Sequence, residues 1–404
     1  MNRIVLIGNG FDLAHNLKTS YQDFINWYWE KRVEGFFEIR SKVSKDILCT
    51  FTMLENGVWS LFAYNHLSPL SKPSGSEIIQ SIIDNKDAFN VKKSDFFDGI
   101  TRSIETNGWV DIENEYYKLL KQYALNNQDD KAHHLNEELK YIQDLLVNYL
   151  SSVNQNPIEI KETIRKKIFE PISQKDVSIE SKEIIMDNCN FLLKQEPNIW
   201  REKLYGYGIS DNLIQSYIYD VESYEKSPDK TITPMLFRVP DKILFLNFNY
   251  THTAHNYIPD EHQKFIYNQI HGQLEHSETV IFGYGDEMDE QFKLIQNLNK
   301  EEYLKNIKSI NYMNSSNYRN VLSFIESAPF QIYIMGHSCG NSDRTLLNTL
   351  FEHKNCISIK PFYYVKKDGS DNYIELVQNI SRNFTDMKLM RDRVVNKTYC
   401  EPIV

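Results

Sequence analysis

The sequence predicts an α/β fold in which helices cover both faces of a parallel sheet. Three stretches carry this prediction: residues 1–30, 240–285 and 328–365. Each contains short apolar runs of strand length, rich in β-branched and aromatic residues, and turn residues follow these runs. Strands that alternate with helices are typical of parallel sheets that are buried on both sides.

The predicted elements follow one another along these stretches. A first strand at 3–7 leads into the turn Gly8–Asp12, and a helix follows with Thr19 or Ser20 as its N-cap. A strand, a glycine turn and a helix in this order are typical of doubly wound nucleotide-binding folds. Further strands are predicted at 241–246, 265–267, 279–282, 331–335 and 357–364, and a further helix at 343–353. The polar segment 300–320 is expected to be mobile.

The region 31–238 has few strand signals, so we predict a mostly helical insertion there. Residues 132–153 carry their apolar side chains on one helical face, and 110–125 are predicted as the antiparallel partner helix. The predicted nucleotide-binding core therefore consists of residues 1–30 and 239–404. Breaks rich in proline and polar residues are predicted at 67–75, 155–157 and 225–234.

Composition and charge argue against several classes of function. The 404 residues carry a formal net charge of −10, which argues against binding nucleic acid through a basic surface. Five scattered cysteines without a CxxC pair suit a reducing compartment better than disulfides or a zinc site. No apolar run approaches the roughly 18 residues of a membrane helix, and the first residues resemble a strand rather than a signal peptide. We therefore expect a cytoplasmic protein without a metal or a membrane partner.

Two polar motifs follow predicted strands, at the position where open α/β sheets bind ligands. The glycines of Gly8–Asp12 let backbone amides approach a ligand, so this turn is either a nucleotide loop or a plain strand-to-helix turn. In the segment Asn247–Thr251, Asn249 offers a carboxamide that could position a ribose hydroxyl or a water. Asparagine also closes turns without any ligand, so both interpretations stay open.

Two further motifs contain histidines. His271 precedes a glycine and, with an ordinary pKa of about 6.5, can exchange a proton near neutrality; it is either a general base or a core histidine. The segment Gly336–Asp343 matches the G-x-S-x-G pattern formally, but only His353 follows it, on the very next helix. A phosphate or ribose loop with Ser342 or Asp343 as N-cap is therefore the preferred interpretation.

Acidic residues form two more candidates. Asp111 and Glu113 open a predicted helix after Trp109, and their charges suit its N-terminal dipole. The functional alternative is that Glu113 turns toward the edge of the sheet with Trp109 packed beside it. The acidic run Asp286–Glu290 is expected to be solvated, although a cation site is conceivable there.

Taken together, these motifs resemble the AbiH family, the bacteriophage abortive-infection H proteins. The resemblance runs along most of the chain and is strongest in Ile7–His15, Trp109–Glu113, Phe248–Thr251, Ile270–Gly272 and Gly336–Asp343. More distantly, the chain is similar to sirtuin-like NAD-binding domains, which implies a Rossmann-like sheet. This chain has Asn9 where those relatives usually have alanine and Thr251 where they usually have aspartate, and it has no four-cysteine zinc knuckle.

The resemblance also implies a set of site residues. His271 takes the place of the catalytic histidine, and Asn249 takes the place of the asparagine that holds a ribose or a water. The residues implied to bind the cofactor lie in the first turn, the turn after the central strand and the last loop: Gly8, Asn9, Gly10, Phe11, Asp12, Asn247, Tyr250, Gly336, His337, Ser338 and Asp343.

The function implied by the resemblance is that of an antiphage effector which hydrolyses the nicotinamide–ribose bond of NAD and so depletes it. The first alternative is a non-catalytic module that senses NAD or an ADP-ribose derivative and signals through the helical insertion. The second is a nuclease toxin. The expected partners are the nucleotide ligand, a phage-derived trigger or partner protein, and further copies of this chain in a homo-oligomer.

Overall fold

The computed structural model describes residues 1–38, 43–54, 73–85, 88–107, 110–155, 158–178, 181–204, 207, 211–230, 232–259 and 263–404. Trp109 lies outside the described residues, as do parts of the predicted breaks at 67–75, 155–157 and 225–234. The described strands are β1 Asn2–Ile7, β2 Val43–Lys45, β3 Cys49–Met53, β4 Phe89–Lys93, β5 Ile243–Asn247, β6 Phe265–Gln269, β7 Phe330–Met335 and β8 Cys356–Phe362.

A five-stranded parallel sheet forms the centre of the fold. Its strands lie in the order β6-β5-β1-β7-β8. The central strand β1 pairs with β5 and β7, so that Ile7 lies opposite both Asn247 and Met335. Strands β5 and β6 lie on one side of β1, and the later strands β7 and β8 lie on its other side. The direction in which successive strands are added therefore reverses between β1 and β7. Ligands of doubly wound sheets bind at such a switch point.

Helices account for most of the remaining chain. The described helices are α1 Asn9–Ala14, α2 Tyr21–Glu38, α3 Gly75–Asp84, α4 Asp95–Asn107, α5 Ile112–Leu125, α6 Asp129–Val153, α7 Glu162–Phe169, α8 Lys182–Leu193, α9 Pro197–Leu204, α10 Asp211–Lys226, α11 Met235–Arg238, α12 Glu290–Asn297, α13 Lys308–Asn311, α14 Asn317–Ser327, α15 Arg344–Phe351, α16 Tyr373–Arg382 and α17 Met387–Arg393. Among the residues that the structure describes, no helix has both the length and the apolar character needed to cross a membrane.

Both faces of the parallel sheet are buried, because successive side chains of a strand point to opposite faces. In β1, Ile4 and Leu6 share a core with α14, α15 and α16, whereas Val5 and Ile7 share a different core with helices between α7 and α11. The strands β5 and β7 show the same alternation. The predicted α/β fold, with a parallel sheet and helices on both faces, is thereby confirmed, and a Rossmann-like arrangement is compatible with it.

The region 31–238 has two parts with different neighbours. Helices α2 and α4 to α6 surround a core of their own, to which β3 contributes Phe51. Strands β2, β3 and β4 form a small antiparallel sheet that the sequence analysis did not predict, because these strands are short and partly exposed. Helices α7 to α11 pack instead on the parallel sheet, where Ile168 and Phe237 share a core with Phe245.

Three local predictions concern the N-cap of α2, a strand at 279–282 and the segment 300–320. Ser20 caps α2 as predicted, since its hydroxyl oxygen accepts a hydrogen bond from the Asp23 amide at 3.1 Å. The predicted strand at 279–282 is wrong: a 3-10 turn covers 277–279, and a single bond from the Ile281 amide to the His271 carbonyl, 2.9 Å long, follows it. The segment 300–320 was expected to be mobile, but it contains α13 and packs Lys308 into the interior.

Candidate functional site

The candidate site is a cavity of about 470 Å³ at the carboxyl edge of the parallel sheet. The strands β6, β5, β1 and β7 are neighbours, so the turns that follow them meet along one edge. Residues next to or within α2, α5 and α6 close the opposite side. The lining residues are Gly8, Asn9, Gly10, Asp12, Leu13, Thr19, Ser20, Tyr21, Gln22, Val110, Asp111, Glu113, Leu146, Leu150, Phe248, Asn249, Tyr250, Thr251, His271, Lys308, Gly336, His337, Ser338, Ser342 and Asp343.

The first turn and the last loop touch each other through their backbones. The Gly10 amide donates to the Gly336 carbonyl at 2.8 Å, and a Cβ atom on Gly8 would lie 2.5 Å from the His337 Cα. Gly336 has φ +77°, and a Cβ there would lie 2.1 Å from the Phe11 nitrogen. Side chains have no room at these positions, so the close approach of two chain segments itself requires glycine.

This contact limits what the first turn can offer a ligand. The Gly10 amide is already bonded to Gly336, and the Phe11 amide donates to the Gly8 carbonyl at 2.9 Å. The Gly8 amide donates to the Met335 carbonyl at 3.2 Å, so three backbone donors of the predicted phosphate turn are committed to the protein itself. A phosphate at this position would rely on other groups, such as the side-chain amide of Asn9, which lines the cavity. The Thr19 hydroxyl already donates to Asn9 Oδ1.

Two residues implied to bind the cofactor do not line the cavity. Phe11 points into the core, where its ring packs against Tyr257 at 5.4 Å. Asn247 is buried, and its amide group donates to the Thr251 carbonyl at 3.0 Å and to the Tyr267 hydroxyl at 2.9 Å. Both side chains hold the turns in place, because each lies on the protein side of its turn.

Asn249 is tied to the first turn and faces the cavity. Its side-chain amide donates to the Gly8 carbonyl at 3.0 Å. The neighbouring Thr251 donates its hydroxyl hydrogen to Asp12, a buried carboxyl at the same edge. Burial raises the pKa of Asp12 to about 6, because water no longer solvates the charged form; the Thr251 hydroxyl only partly offsets this.

His271 lies at the end of β6 with its ring almost completely buried. Its Nε2 is 3.2 Å from Asp343 Oδ1 and 3.2 Å from the Tyr312 hydroxyl. Because a carboxylate only accepts hydrogen bonds, this contact assigns the proton to Nε2 and leaves a lone pair on Nδ1. Burial lowers the pKa of His271, and the Lys308 ammonium lowers it further, although Asp343 opposes both effects. His271 is therefore a neutral imidazole near pH 7.

Asp343 connects three cationic or hydrogen-donating groups. Its Oδ1 lies 2.8 Å from Lys308 Nζ as well as 3.2 Å from His271, and its Oδ2 lies 3.4 Å from His337 Nε2. Asp343 is at the N-cap position of α15, but its side chain makes no capping bond there. Burial alone would raise the pKa of Asp343, yet Lys308 and His271 outweigh it and hold the pKa well below its usual value. The carboxylate is thus turned into the site and ionised.

Lys308 and Glu113 complete this buried cluster. Lys308 is only 1% exposed, and its Nζ lies 2.8 Å from Glu113 Oε2. The other Glu113 oxygen accepts a hydrogen bond from the Gly283 amide at 3.1 Å. Burial raises the pKa of Glu113 to about 7, with Lys308 opposing the shift. Burial also disfavours the ammonium, but Asp343 and Glu113 together raise the pKa of Lys308 above its ordinary value.

The remaining predicted residues lie around this cluster. His337 accepts a hydrogen bond on Nδ1 from the Cys339 amide at 3.0 Å, so Nε2 carries the hydrogen that faces Asp343. Tyr250 lines the cavity and donates its hydroxyl hydrogen to the Ile281 carbonyl at 3.0 Å. Ser338 is exposed at the rim of the cavity, and among the described residues no histidine is hydrogen-bonded to its hydroxyl, so the pattern of a serine hydrolase is not formed there.

The charge of the cavity is predominantly acidic. Among the residues that the structure describes, its lining contains the four carboxyl groups of Asp12, Asp111, Glu113 and Asp343, against one ammonium, Lys308. Within the described ranges, no group of three or more histidine, cysteine, aspartate or glutamate side chains is arranged to hold a metal ion. Glu113 was predicted as a functional alternative, whereas Lys308 was not predicted, because nothing in the polar segment around it indicates burial.

The fold and the site together define a doubly wound α/β protein with an acidic, histidine-containing cavity at the carboxyl edge of its sheet. A comparison with protein families matches residues 4–364 to the family described as bacteriophage abortive infection AbiH, so the chain belongs to the AbiH family. This membership implies a role in phage abortive infection. Searches of curated proteins and of solved structures found no significant match, and the sirtuin-like similarity therefore stays a prediction.

Proposed function

We propose that this AbiH protein hydrolyses the nicotinamide–ribose bond of NAD in the cavity at the carboxyl edge of the sheet. The observation that carries the proposal is that Asn249 and His271, which end two neighbouring strands, line the same cavity together with the first turn. A volume of about 470 Å³ falls within the range of about 300 to 1,000 Å³ that is usual for small-molecule sites.

The acidic charge of the lining favours this chemistry. The nicotinamide ring of NAD is a cation, and breaking its bond to the ribose develops positive charge on the sugar. Carboxylates near that position, above all the buried and ionised Asp343, stabilise the developing charge. The same carboxylates disfavour the pyrophosphate, which we therefore expect near the side-chain amide of Asn9 rather than beside Lys308.

The proposed reaction needs a base and a group that orients the water. Water attacks C1′ of the nicotinamide ribose while the bond from C1′ to the nicotinamide nitrogen breaks. The bonding electron pair goes to that nitrogen, which loses its positive charge, and the proton of the water passes to Nδ1 of His271. Asn249 holds the ribose or the water, and nicotinamide and ADP-ribose leave as products.

The geometry around His271 supports its role as the base. Nε2 is engaged by Asp343, which fixes the tautomer and stabilises the imidazolium that forms when Nδ1 takes a proton. A lowered pKa keeps the imidazole unprotonated at neutral pH, as a base must be before it acts. Depletion of NAD would then arrest the infected cell.

The test is to incubate the purified protein with NAD, with and without phage lysate, and to follow nicotinamide and ADP-ribose by chromatography. We expect His271→Ala and Asn249→Ala to lower kcat by about 10²- to 10⁴-fold. The exposed His276 and Asn314 provide matched controls, since neither lines the cavity. Intact NAD in every sample, together with full phage defence by His271→Ala, would contradict the proposal. Bound but uncleaved nucleotide would favour the sensor instead.

An enzyme that depletes NAD has to be restrained before infection. We propose that a phage-derived trigger, a partner protein or oligomerisation of this chain controls the activity, and that the region 31–238 makes the contact. Light scattering of the purified protein, combined with the NAD assay, tests this. A monomer with full activity in the absence of phage would contradict it.

A further inference from the structure

The buried Lys308 has no part in the proposed reaction, although it lies against the cavity. We propose that the ion pair of Lys308 and Glu113 positions Asp343 for catalysis, so that helix α5 completes a buried cluster whose other members, Lys308, Asp343 and His271, come from the residues after 239. This inference rests on the proposed function for the role of His271. Lys308 and Glu113 are positioning residues here, because they act through Asp343.

The contacts form one continuous chain. Glu113 on α5 holds Lys308 at 2.8 Å, Lys308 holds Asp343 at 2.8 Å, and Asp343 holds His271 at 3.2 Å. The second oxygen of Glu113 is bonded to the Gly283 amide, so this carboxylate cannot swing away from the ammonium without breaking a further bond. Glu113, Lys308 and Asp343 are therefore each held by two partners.

The need for a cation follows from burial. Asp343 lies in a site where desolvation alone would favour the protonated acid, and Lys308 is the largest of the influences that keep it ionised. A protonated Asp343 would donate a hydrogen bond to His271 instead of accepting one, which would move the imidazole hydrogen from Nε2 to Nδ1. The nitrogen that has to accept the proton of water would then be blocked.

The groups that face His271 come from two stretches of chain, the segment around α13 and the loop between β7 and α15, and from Tyr250. Asp343 precedes α15, Lys308 begins α13, Tyr312 follows α13, and His337 follows β7. Tyr250 lies with its ring 6.4 Å from the imidazole. Among these groups Lys308 is the permanent cation, and its Nζ lies 2.8 Å from Asp343, so removal of its charge acts directly on that carboxylate.

The single variant Lys308→Met would leave two buried carboxylates facing each other and could fail to fold. The double variant E113Q/K308M keeps the net charge and is the one to measure. Glu115 and Lys118 form a matched control on the same helix, because they are paired at 2.7 Å but do not line the cavity. Their double variant is E115Q/K118M.

The experiment has two readouts in the full-length chain: the titration of the Asp343 carboxyl by carbon NMR, and kcat and KM for NAD. In E113Q/K308M we expect the Asp343 titration to move to higher pH and kcat to fall by about 10- to 100-fold, as for the outer-shell partners of other sites, with KM little changed. E115Q/K118M should match the wild type in both readouts.

The outcomes separate this inference from the proposed function. An Asp343 titration in E113Q/K308M that coincides with the wild type overturns the inference, and so does a shifted titration with an unchanged kcat. A shifted titration in a protein whose wild type never cleaves NAD refutes the proposed hydrolysis and supports the control of Asp343 by Lys308 and Glu113.

Discussion

The imidazole of His271 and the carboxylate of Asp343 meet at 3.2 Å, although they come from well-separated strands of the sheet. His271 follows β6 at one side, Asp343 lies in the loop after β7, and both β5 and β1 lie between these strands. The two loops therefore reach toward each other over the carboxyl edge. Their contact gives the histidine a defined tautomer with its lone pair on Nδ1, which is the basis of the predictions that follow.

Replacing Asp343 by asparagine should remove most of the activity. The amide can donate to Nε2 of His271, which favours the tautomer with its hydrogen on Nδ1, so we expect a loss in kcat of about 10²- to 10⁴-fold. Asp386→Asn is a matched control, because Asp386 also occupies an N-cap position but accepts hydrogen bonds from the backbone of α17. Wild-type kcat in Asp343→Asn would argue against the orienting role, provided that thermal unfolding shows a folded variant.

The pH profile of kcat/KM should reflect the depressed pKa of His271. Burial and the Lys308 ammonium lower this pKa from its ordinary 6.5, so the neutral base persists in mildly acidic solution. We therefore expect the acid limb of the profile to lie below pH 6.5. Measurement of initial rates from about pH 5 to pH 8 tests this. An acid limb above the ordinary value would mean that another group controls the rate.

Replacing Asp12 by asparagine should stabilise the protein in a pH-dependent way. The folded pKa is about 6 against 3.8 for the free side chain, so the native state binds more protons than the unfolded state between these values. The contribution of Asp12 to stability therefore decreases as pH rises through this window, by about 3 kcal/mol in all. An asparagine has no charge to bury and can still accept the Thr251 hydrogen bond.

Denaturant unfolding at about pH 4 and about pH 8 measures this effect. At the higher pH, the free energy of unfolding of Asp12→Asn should exceed that of the wild type by more than it does at the lower pH. The exposed Asp84→Asn is the control and should show no such trend. A difference that is constant with pH would contradict the burial of a carboxyl group at this position.

Two glycines with similar positive φ angles should respond differently to alanine. Gly336 has φ +77° and lies against Gly10 and Phe11, whereas Gly369 has φ +83° with nothing within 4 Å of an added Cβ. Gly369→Ala should lose about 1 to 2 kcal/mol in the free energy of unfolding, because only the conformational cost applies. Gly336→Ala should lose about 1 to 3 kcal/mol more, since the two turns have to separate. Equal losses would mean that the close approach of the turns does not constrain the fold.

The sequence predicts the strands of the parallel sheet well, because buried parallel strands are short apolar runs that end in turn residues. Arg3–Ile7, 331–335 and 357–364 show this pattern, and each corresponds to a strand of the structure. The strand predicted at 279–282 shows the limit of this reasoning. Its apolar side chains are buried beside the loop of His271, and burial alone does not provide a neighbouring strand with which to pair.

The sequence predicts only part of the site. Glycines, Asn249 and His271 follow predicted strands, so their meeting at one edge follows from the topology. Lys308 could not be found in this way, because a lysine in a polar segment is usually solvated, and its burial depends on carboxylates from two distant segments. Phe11 and Asn247 belong to turns that line the cavity, but their side chains point into the protein. The direction of a side chain in a turn depends on the local backbone geometry, which the residue types do not determine.

The most direct test of the central claim is a crystal structure of the His271→Ala variant with NAD. The proposed function predicts density for the nicotinamide ribose between Asn249 and the vacated position of residue 271, with C1′ facing both. Density for the nucleotide at another surface, or a cavity that stays empty at a saturating NAD concentration, would contradict the claim.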